Sequence, residues 1–451
     1  MKSLVTKQDI TTSIKGLKRC HIITFGCQMN EYDSIRMAQM LRHEYVLTPY
    51  PEDADLILIN TCSIREKAEH KLYSLLGRLR PLKKRNPGLK IGVTGCVAQQ
   101  LGATLFQRAP YVDLVLGPQG IYSLKEALSS TEQGISNICV TTLRDDFHIP
   151  QTKAPLPGTG HVRAFVTIMQ GCNNFCTYCI VPLVRGREVS RPSSHIIDEI
   201  KTLVEQGVKD VTLLGQNVNS FGKNLPDDVD FPGLLQQIDS QFPNIRLRFT
   251  TSHPKDLSDS LISCFATLGS LCEHLHLPVQ AGSNRVLKRM NRKYTIEEYL
   301  DKVAKLRKTC PDITLTTDII VGFPGETEKD FLDTIELLKT VRFHQIFAFK
   351  YSERPGTAAA NFKDAVAEDI RKERLAHVIE LQNKIGLEQY KRYENRVMEC
   401  LIERGQGIKL QGRTRGNHVV NITGSLELVG KFMDVFIEKA CHHSLKGRIV
   451  N

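Results

Sequence analysis

Tryptophan is absent from the 451 residues, and so is any run of eighteen apolar residues long enough to cross a bilayer. The first stretch, MKSLVTKQDITTSIKGLKR, lacks the apolar core of a secretory signal. The expected location is therefore cytoplasmic, with no membrane partner. The missing Trp excludes nothing. A disulfide framework is also missing: the 13 cysteines are odd in number, seven are scattered, three lie close together, and three follow strand-like runs in the first hundred residues. Metal or redox chemistry is the better expectation.

What is present fits a folded chain. Hydrophobic residues make up 41% and charged residues 24%, which sets the protein apart from disordered and fibrous classes. Its length calls for two or three domains. A formal charge of +11 favours encounter with a polyanion, without by itself naming one.

Apolar runs at 21–26, 55–60, 90–94 and 113–116 alternate with segments of helical length, the pattern of a small parallel sheet with crossovers. HIITFGC ends at Cys27, DLILINTC at Cys62 and KIGVTGC at Cys96. Strand ends in an open parallel sheet share one edge, where ligands bind. Three cysteines so placed are expected to converge, although each could instead be a small buried residue at a turn.

Residues 141–160 are rich in Pro, Gly and polar side chains and read as a linker. A longer series then begins: AFVTIMQGC, DVTLLGQNV, IRLRFTTSH, HLHLPVQAG, ITLTTDIIVG and QIFAFKYS read as strands, with helical segments near 193–207, 255–267, 294–308 and 327–340. Six β/α repeats are fewer than the eight of a closed barrel, so an open partial (β/α)6 barrel is expected. A charged helical pattern follows at 363–390. From 390 to 445, short β-like segments broken by Gly and Asn suggest a small all-β module. Residues 381–451 hold twelve Lys and Arg against seven Asp and Glu, a net of +5 that suits an RNA platform. The expected division is 1–145, 146–380 and 381–451.

In GCNNFCTYCI, Cys172, Cys176 and Cys179 form a CxxxCxxC loop directly after the first strand of the second series. Such a loop can supply three thiolates to a [4Fe–4S] cluster and leave one iron free for substrate or cofactor. Structural zinc would call for four ligands in paired spacing.

This segment resembles the cluster motif of the radical S-adenosylmethionine superfamily. The chain as a whole is similar to the methylthiotransferase family, most like its MiaB-type tRNA enzymes. GCQMN at 26–30, NTC at 60–62, TGC at 94–96, GCNNFCTYCIVPLVRGREVSR at 171–191, HLPVQAGS at 276–283 and VGFPGET at 321–327 carry the likeness. The resemblance implies a small N-terminal parallel-sheet domain, a central open radical-SAM barrel and a C-terminal TRAM-like domain. It implies two [4Fe–4S] clusters, S-adenosyl-L-methionine as cofactor, and catalytic and metal-ligating roles for six cysteines. Cys172, Cys176 and Cys179 would hold the cluster that cleaves S-adenosylmethionine to give a 5′-deoxyadenosyl radical. Cys27, Cys62 and Cys96 would hold an auxiliary cluster that carries the sulfur to be donated.

The implied reaction places a methylthio group on carbon 2 of N6-dimethylallyladenosine at tRNA position 37. A second S-adenosylmethionine supplies the methyl group. The implied partners are a tRNA anticodon stem-loop, an electron donor and a sulfur source, and a monomer is expected. Other substrates for the same chemistry are threonylcarbamoyladenosine in tRNA or an aspartyl residue of a ribosomal protein. A non-catalytic iron–sulfur RNA-binding protein is the alternative of a different class.

Cofactor contacts are expected at strand ends. Gln216 and Asn217 offer amides after the second strand, Ser252 and His253 follow the third, and Gln280 and Ser283 the fourth. Gly322 and Gly325 permit close backbone approach. Glu188 and Arg191 are expected either to bind cofactor or to anchor the cluster loop through a salt bridge. The basic run Arg78, Arg80, Lys83, Lys84 and Arg85, together with Arg413 and Arg415 in GRTRGN, supplies candidate RNA phosphate contacts.

Overall fold

A computed structural model describes residues 2–3, 16–63, 68–145, 147–154, 156–157, 160–225 and 229–450. Strands Lys18–Thr24, Leu56–Thr61 and Lys90–Gly95 lie side by side in parallel, continued by Leu114–Leu116 and Ile138–Val140. Tyr45–Leu47 pairs in parallel with the first strand and Lys2–Ser3 antiparallel to it. Leu56–Thr61 is buried at every position, as a central parallel strand covered on both faces must be. Ile57 and Ile59 join the core on one face, while Leu56 and Leu58 join the core on the other.

The central region holds six parallel strands in two runs. Arg163–Thr167, Asp210–Leu214 and Arg246–Phe249 form one; His274–His276, Thr314–Val321 and Gln345–Lys350 form the other. A bridge between Leu247 and Leu271 joins them. Nothing pairs the first strand with the last among the described residues, so the barrel is partial and open, as its six repeats led us to expect. Helices Ile296–Thr309 and Glu328–Val341 start at Thr295 and Thr327, each with a complete capping box that satisfies otherwise orphaned backbone N–H groups. Helix Phe231–Gln241, absent from the sequence reading, starts where the Asp230 side chain accepts from the Gly233 N–H.

Helix Glu368–Lys391 runs across the boundary expected at residue 381. Beyond it, Val397–Gln406, Lys409–Thr414, Val419–Thr423, Phe432–Ala440 and Leu445–Ile449 close into a five-stranded barrel. This module docks against the N-terminal ends of the central strands. Arg248 donates to the carbonyls of Arg415 (2.7 Å) and Thr414 (2.9 Å), Arg246 pairs with Glu399 (2.8 Å), and Thr314 meets His418 (3.1 Å). Among the described residues, no helix is long and apolar enough to cross a membrane.

Candidate active site

Cys27, Cys62 and Cys96 each follow one of three adjacent parallel strands, at the same sheet edge. Gly26 makes the approach possible: its φ is +119°, and a Cβ there would lie 2.2 Å from Cys62 Cβ. The Cys27 thiol is lowered chiefly by a hydrogen bond with Cys62, with burial opposing and the Arg185 charge assisting. Burial raises the Cys96 thiol, again opposed by Arg185. A buried amide lattice holds these strand ends. Asn30 donates to Asn60 Oδ1 (2.9 Å) and the Thr61 carbonyl (2.8 Å), and Asn60 donates to the Asn30 carbonyl (2.9 Å) and Ser34 (3.0 Å). Asn30 and Asn60 were not singled out from the sequence, although both stand inside the cysteine motifs GCQMN and NTC.

The second triad lies on a loop braced from two other segments of the barrel, one after Asp210–Leu214 and one around Arg289–Arg292. The Gly171 N–H donates to Gln216 Oε1 (2.5 Å), Cys179 N–H to the Cys176 carbonyl (2.9 Å), and Thr177 Oγ to the Arg289 carbonyl (3.0 Å). Arg292 donates to Cys176 Sγ at 3.5 Å. Burial pushes Cys172 up to about 11 and Cys179 up to about 12, and the charge of Cys176 adds to both. A bound metal would oppose both effects by stabilising the thiolates.

All thirteen cysteines are free thiols. Among the described residues, no three His, Cys, Asp or Glu side chains surround a point suited to a single metal ion. An iron–sulfur cube takes its thiolates one per iron, so its ligands stand around a larger body than one ion. The soft all-thiol donor sets suit such a cluster.

The two triads are neighbours. Ile180 and Val184, immediately after the CxxxCxxC loop, pack in one buried group with Cys96. On the same short helix, Val181–Arg185, the Arg185 guanidinium is 3% exposed and pairs with Asp33 at 2.8 Å. Its Nη1 is buried without a hydrogen-bond partner. Thr250, after the third barrel strand, donates to Gln28 Oε1 (3.3 Å), next to Cys27.

The expected cofactor residues divide. Asn217 Oδ1 and Ser252 Oγ are buried polar atoms without partners at the barrel's strand ends, as is His253 Nε2. Asn217 Nδ2 is held by Asp256 (2.8 Å). Glu188 accepts from Ser220 (2.7 Å) and its charge is felt at Cys172; burial raises its carboxyl. Gln280 has φ +76°, with its backbone held by Asp318 and Ile320. The Gln216 side-chain oxygen is used in bracing the loop, and Ser283 donates to Asp330 (2.6 Å).

Three expectations need correction. Arg191 is fully buried and bound to Glu199 (2.7 Å) and the Thr167 carbonyl (2.6 Å), so its salt bridge holds the following helix rather than the cluster loop, and its guanidinium has no exposed surface to offer a cofactor. At Gly322 and Gly325 the close approach comes from the chain itself: an added Cβ would meet Arg371 Cγ at 2.1 Å and Asp364 Oδ2 at 2.4 Å. Arg413 and Arg415 are tied to Glu403 (2.5 Å) and Glu273 (2.8 Å) at the docking face, so neither guanidinium is free for phosphate. In the run from Arg78 to Arg85, Lys83 is diverted to Asp113 (2.8 Å), while Arg78, Arg80, Lys84 and Arg85 stay exposed.

Comparison with known proteins adds a family frame. Residues 19–117 match the model described as Uncharacterized protein family UPF0004, 166–338 the Radical SAM superfamily and 391–450 the TRAM domain. The chain is 49% identical to the tRNA-2-methylthio-N(6)-dimethylallyladenosine synthase of Syntrophobacter fumaroxidans, covering 96% of this chain and 95% of that one. It is 50% identical to the synthase of the same name from Geobacter metallireducens, covering 96% and 99%. Among solved structures, the radical S-adenosylmethionine methyltransferase TsrM from Kitasatospora setae shares the fold, with TM-score 0.57, 13% identity and coverage of 76% and 75%.

Proposed function

The chain belongs to the family of tRNA-2-methylthio-N6-dimethylallyladenosine synthases, and from that membership we propose how its residues divide the work. It is a radical S-adenosylmethionine enzyme that inserts sulfur at carbon 2 of N6-dimethylallyladenosine in tRNA and methylates it. It uses S-adenosylmethionine and iron–sulfur chemistry. The finer assignment is that Cys172, Cys176 and Cys179 hold one [4Fe–4S] cluster, and Cys27, Cys62 and Cys96 a second. When bound, the clusters supply the electron that splits S-adenosylmethionine and the sulfur that is transferred.

The remaining work falls to the protein. Gln216 and Arg292 fix the CxxxCxxC loop, one at the Gly171 amide and the other at the Cys176 sulfur. Asn217 Oδ1 can accept from an ammonium and Ser252 Oγ can donate to a carboxylate, the two charged groups of the cofactor's methionine part. Glu188 stands beside them as a further cofactor contact. Arg185 supplies positive charge against the upstream thiolates and, through Asp33, ties the helix that follows Cys27 to the short helix that follows the CxxxCxxC loop. The proposed domain limits are 1–145, 146–380 and 381–451, and the enzyme acts as a monomer served by a separate electron donor and sulfur source.

The observation that carries this division is the packing of Ile180 and Val184 against Cys96, which sets a cysteine of the upstream triad against the segment directly after the CxxxCxxC loop. Anaerobically reconstituted protein with reductant, S-adenosylmethionine and prenylated tRNA is expected to release 5′-deoxyadenosine and yield the 2-methylthio nucleoside on digestion and mass spectrometry. Release of 5′-deoxyadenosine with no methylthiolated nucleoside, under conditions that also supply sulfide, would overturn the substrate assignment.

A further inference from the structure

The open barrel leaves one wall uncovered. Along Gln345–Lys350, Ile346 and Ala348 pack into the core, which turns the alternate residues Phe347 and Phe349 to the other face. There they are 46% and 49% exposed. Two large aromatics left exposed on the barrel's last strand are not a folding requirement; an open apolar surface of this kind marks a binding site.

Polar groups on the same face complete it. Asp318 is the register partner of Phe347 on the adjacent strand, and His276, one strand further, lies 3.5 Å from Asp318 and edge-on to Phe347 with ring centroids 5.8 Å apart. Thr316 orients the imidazole through Nδ1 at 2.9 Å. At the N-terminal end of these strands Thr314 meets His418 of the docked C-terminal module at 3.1 Å. The wall therefore opens toward the strand ends where the thiol loops lie.

We propose that Phe347, Phe349, His276 and Asp318 form the seat of the N6-alkylated adenine and select an apolar N6 substituent. The inference rests on the functional reading above and adds the residues that recognise the base. An extruded adenine has a π-face for Phe347 to stack on. A mono-alkylated N6 keeps one N–H, which the Asp318 carboxylate accepts. A branched hydrocarbon on N6 covers Phe349, whereas a substituent ending in a carboxylate is set against the negative charge of Asp318.

The test uses full-length reconstituted enzyme and three anticodon stem-loop RNAs, with unmodified, N6-dimethylallyl or N6-threonylcarbamoyl adenosine at the target position. Phe347→Ala and the milder Phe347→Leu, compared at equal iron content, should raise KM for the prenylated RNA about tenfold or more and shift kcat less. The preference for prenylated over unmodified RNA, read as a ratio of binding constants, should shrink in Phe349→Ala. Asp318→Asn should bring binding of the carboxylate-bearing RNA closer to that of the prenylated one. Unchanged KM in both Phe347 variants, or equal losses for all three RNAs in Phe349→Ala, would overturn the seat. If the wild-type enzyme itself fails to methylthiolate the prenylated RNA, the functional reading falls instead, and the two failures are thus distinguished.

Discussion

A guanidinium buried beside two thiols is under two opposing demands. Desolvation disfavours its charge, and the Asp33 carboxylate together with Cys96 and Cys27 restores it, so that Arg185 is held above its ordinary range. Removing one member of such a pair strands the other in a dry site. Arg185→Met alone is expected to cost about 3–5 kcal/mol, whereas Arg185→Met with Asp33→Leu should recover much of that loss. Thermal unfolding midpoints would check the stability. Iron bound by a chain that lacks Cys172, Cys176 and Cys179 would check the site, because the double variant, though folded, should retain less iron at the upstream triad. Equal iron in the double variant and its parent would show Arg185 to be an interdomain tie without influence on the thiols.

At the scale of elements, the docking of the C-terminal barrel depends on buried histidines. His344 and His418 lie 5.7 Å apart between ring centroids; Tyr393 hydrogen-bonds His344 (3.2 Å) and packs at a tilt against His418, with centroids 4.6 Å apart. Burial lowers all of His274, His344 and His418, with His344 brought down to about 4, and the nearby arginines Arg248, Arg307, Arg392 and Arg413 push in the same direction. The unfolded or undocked chain therefore binds more protons than the docked one below pH of about 6.5. The stability these residues contribute is present above that value and is lost as pH falls toward 4. Hydrogen exchange within 391–450 is expected to accelerate between pH 7 and pH 5, after correction for intrinsic rates, and His418→Gln should flatten the response. Glu326 acts in the opposite sense elsewhere in the molecule: burial raises it to about 7, so its cost grows as pH rises from about 4.5 to 7. The local readout at 391–450 separates the two.

The whole molecule joins a thiol edge on the N-terminal sheet to a thiol loop of the open barrel, and docks the C-terminal module at the opposite ends of the barrel strands. The triads share packing but no ligand, so each should load by itself. Replacing Cys172, Cys176 and Cys179 with Ala is expected to leave about four irons per chain after anaerobic reconstitution and to abolish S-adenosylmethionine cleavage. Complete loss of iron in a variant with normal far-ultraviolet dichroism would contradict independent sites. The docking face also changes what a truncation can show: deleting 385–451 would bare Arg246 and Arg248, which the module's carbonyls and Glu399 satisfy, and would disturb the barrel as well as any RNA contact.

The sequence by itself determined the chemistry and the order of the parts. Cysteine spacing in a single loop, glycine before a strand-end cysteine and alternating apolar runs are local signals, set by residues a few positions apart and by the period of the elements that carry them. Strand-end placement even foretold which edge Cys27, Cys62 and Cys96 would share. Only the tertiary structure decided which charged and aromatic residues serve the site. Arg185 meets Asp33 across 152 positions, and Arg415 meets Glu273 across 142. In the sequence Arg413 and Arg415 look like free cations, and Arg185 looks like any loop arginine. Phe347 and Phe349 look like core, because alternation along a strand says which residues share a face but not whether that face is packed or open. That choice rests on where the barrel fails to close and where another domain covers it, which no local pattern records.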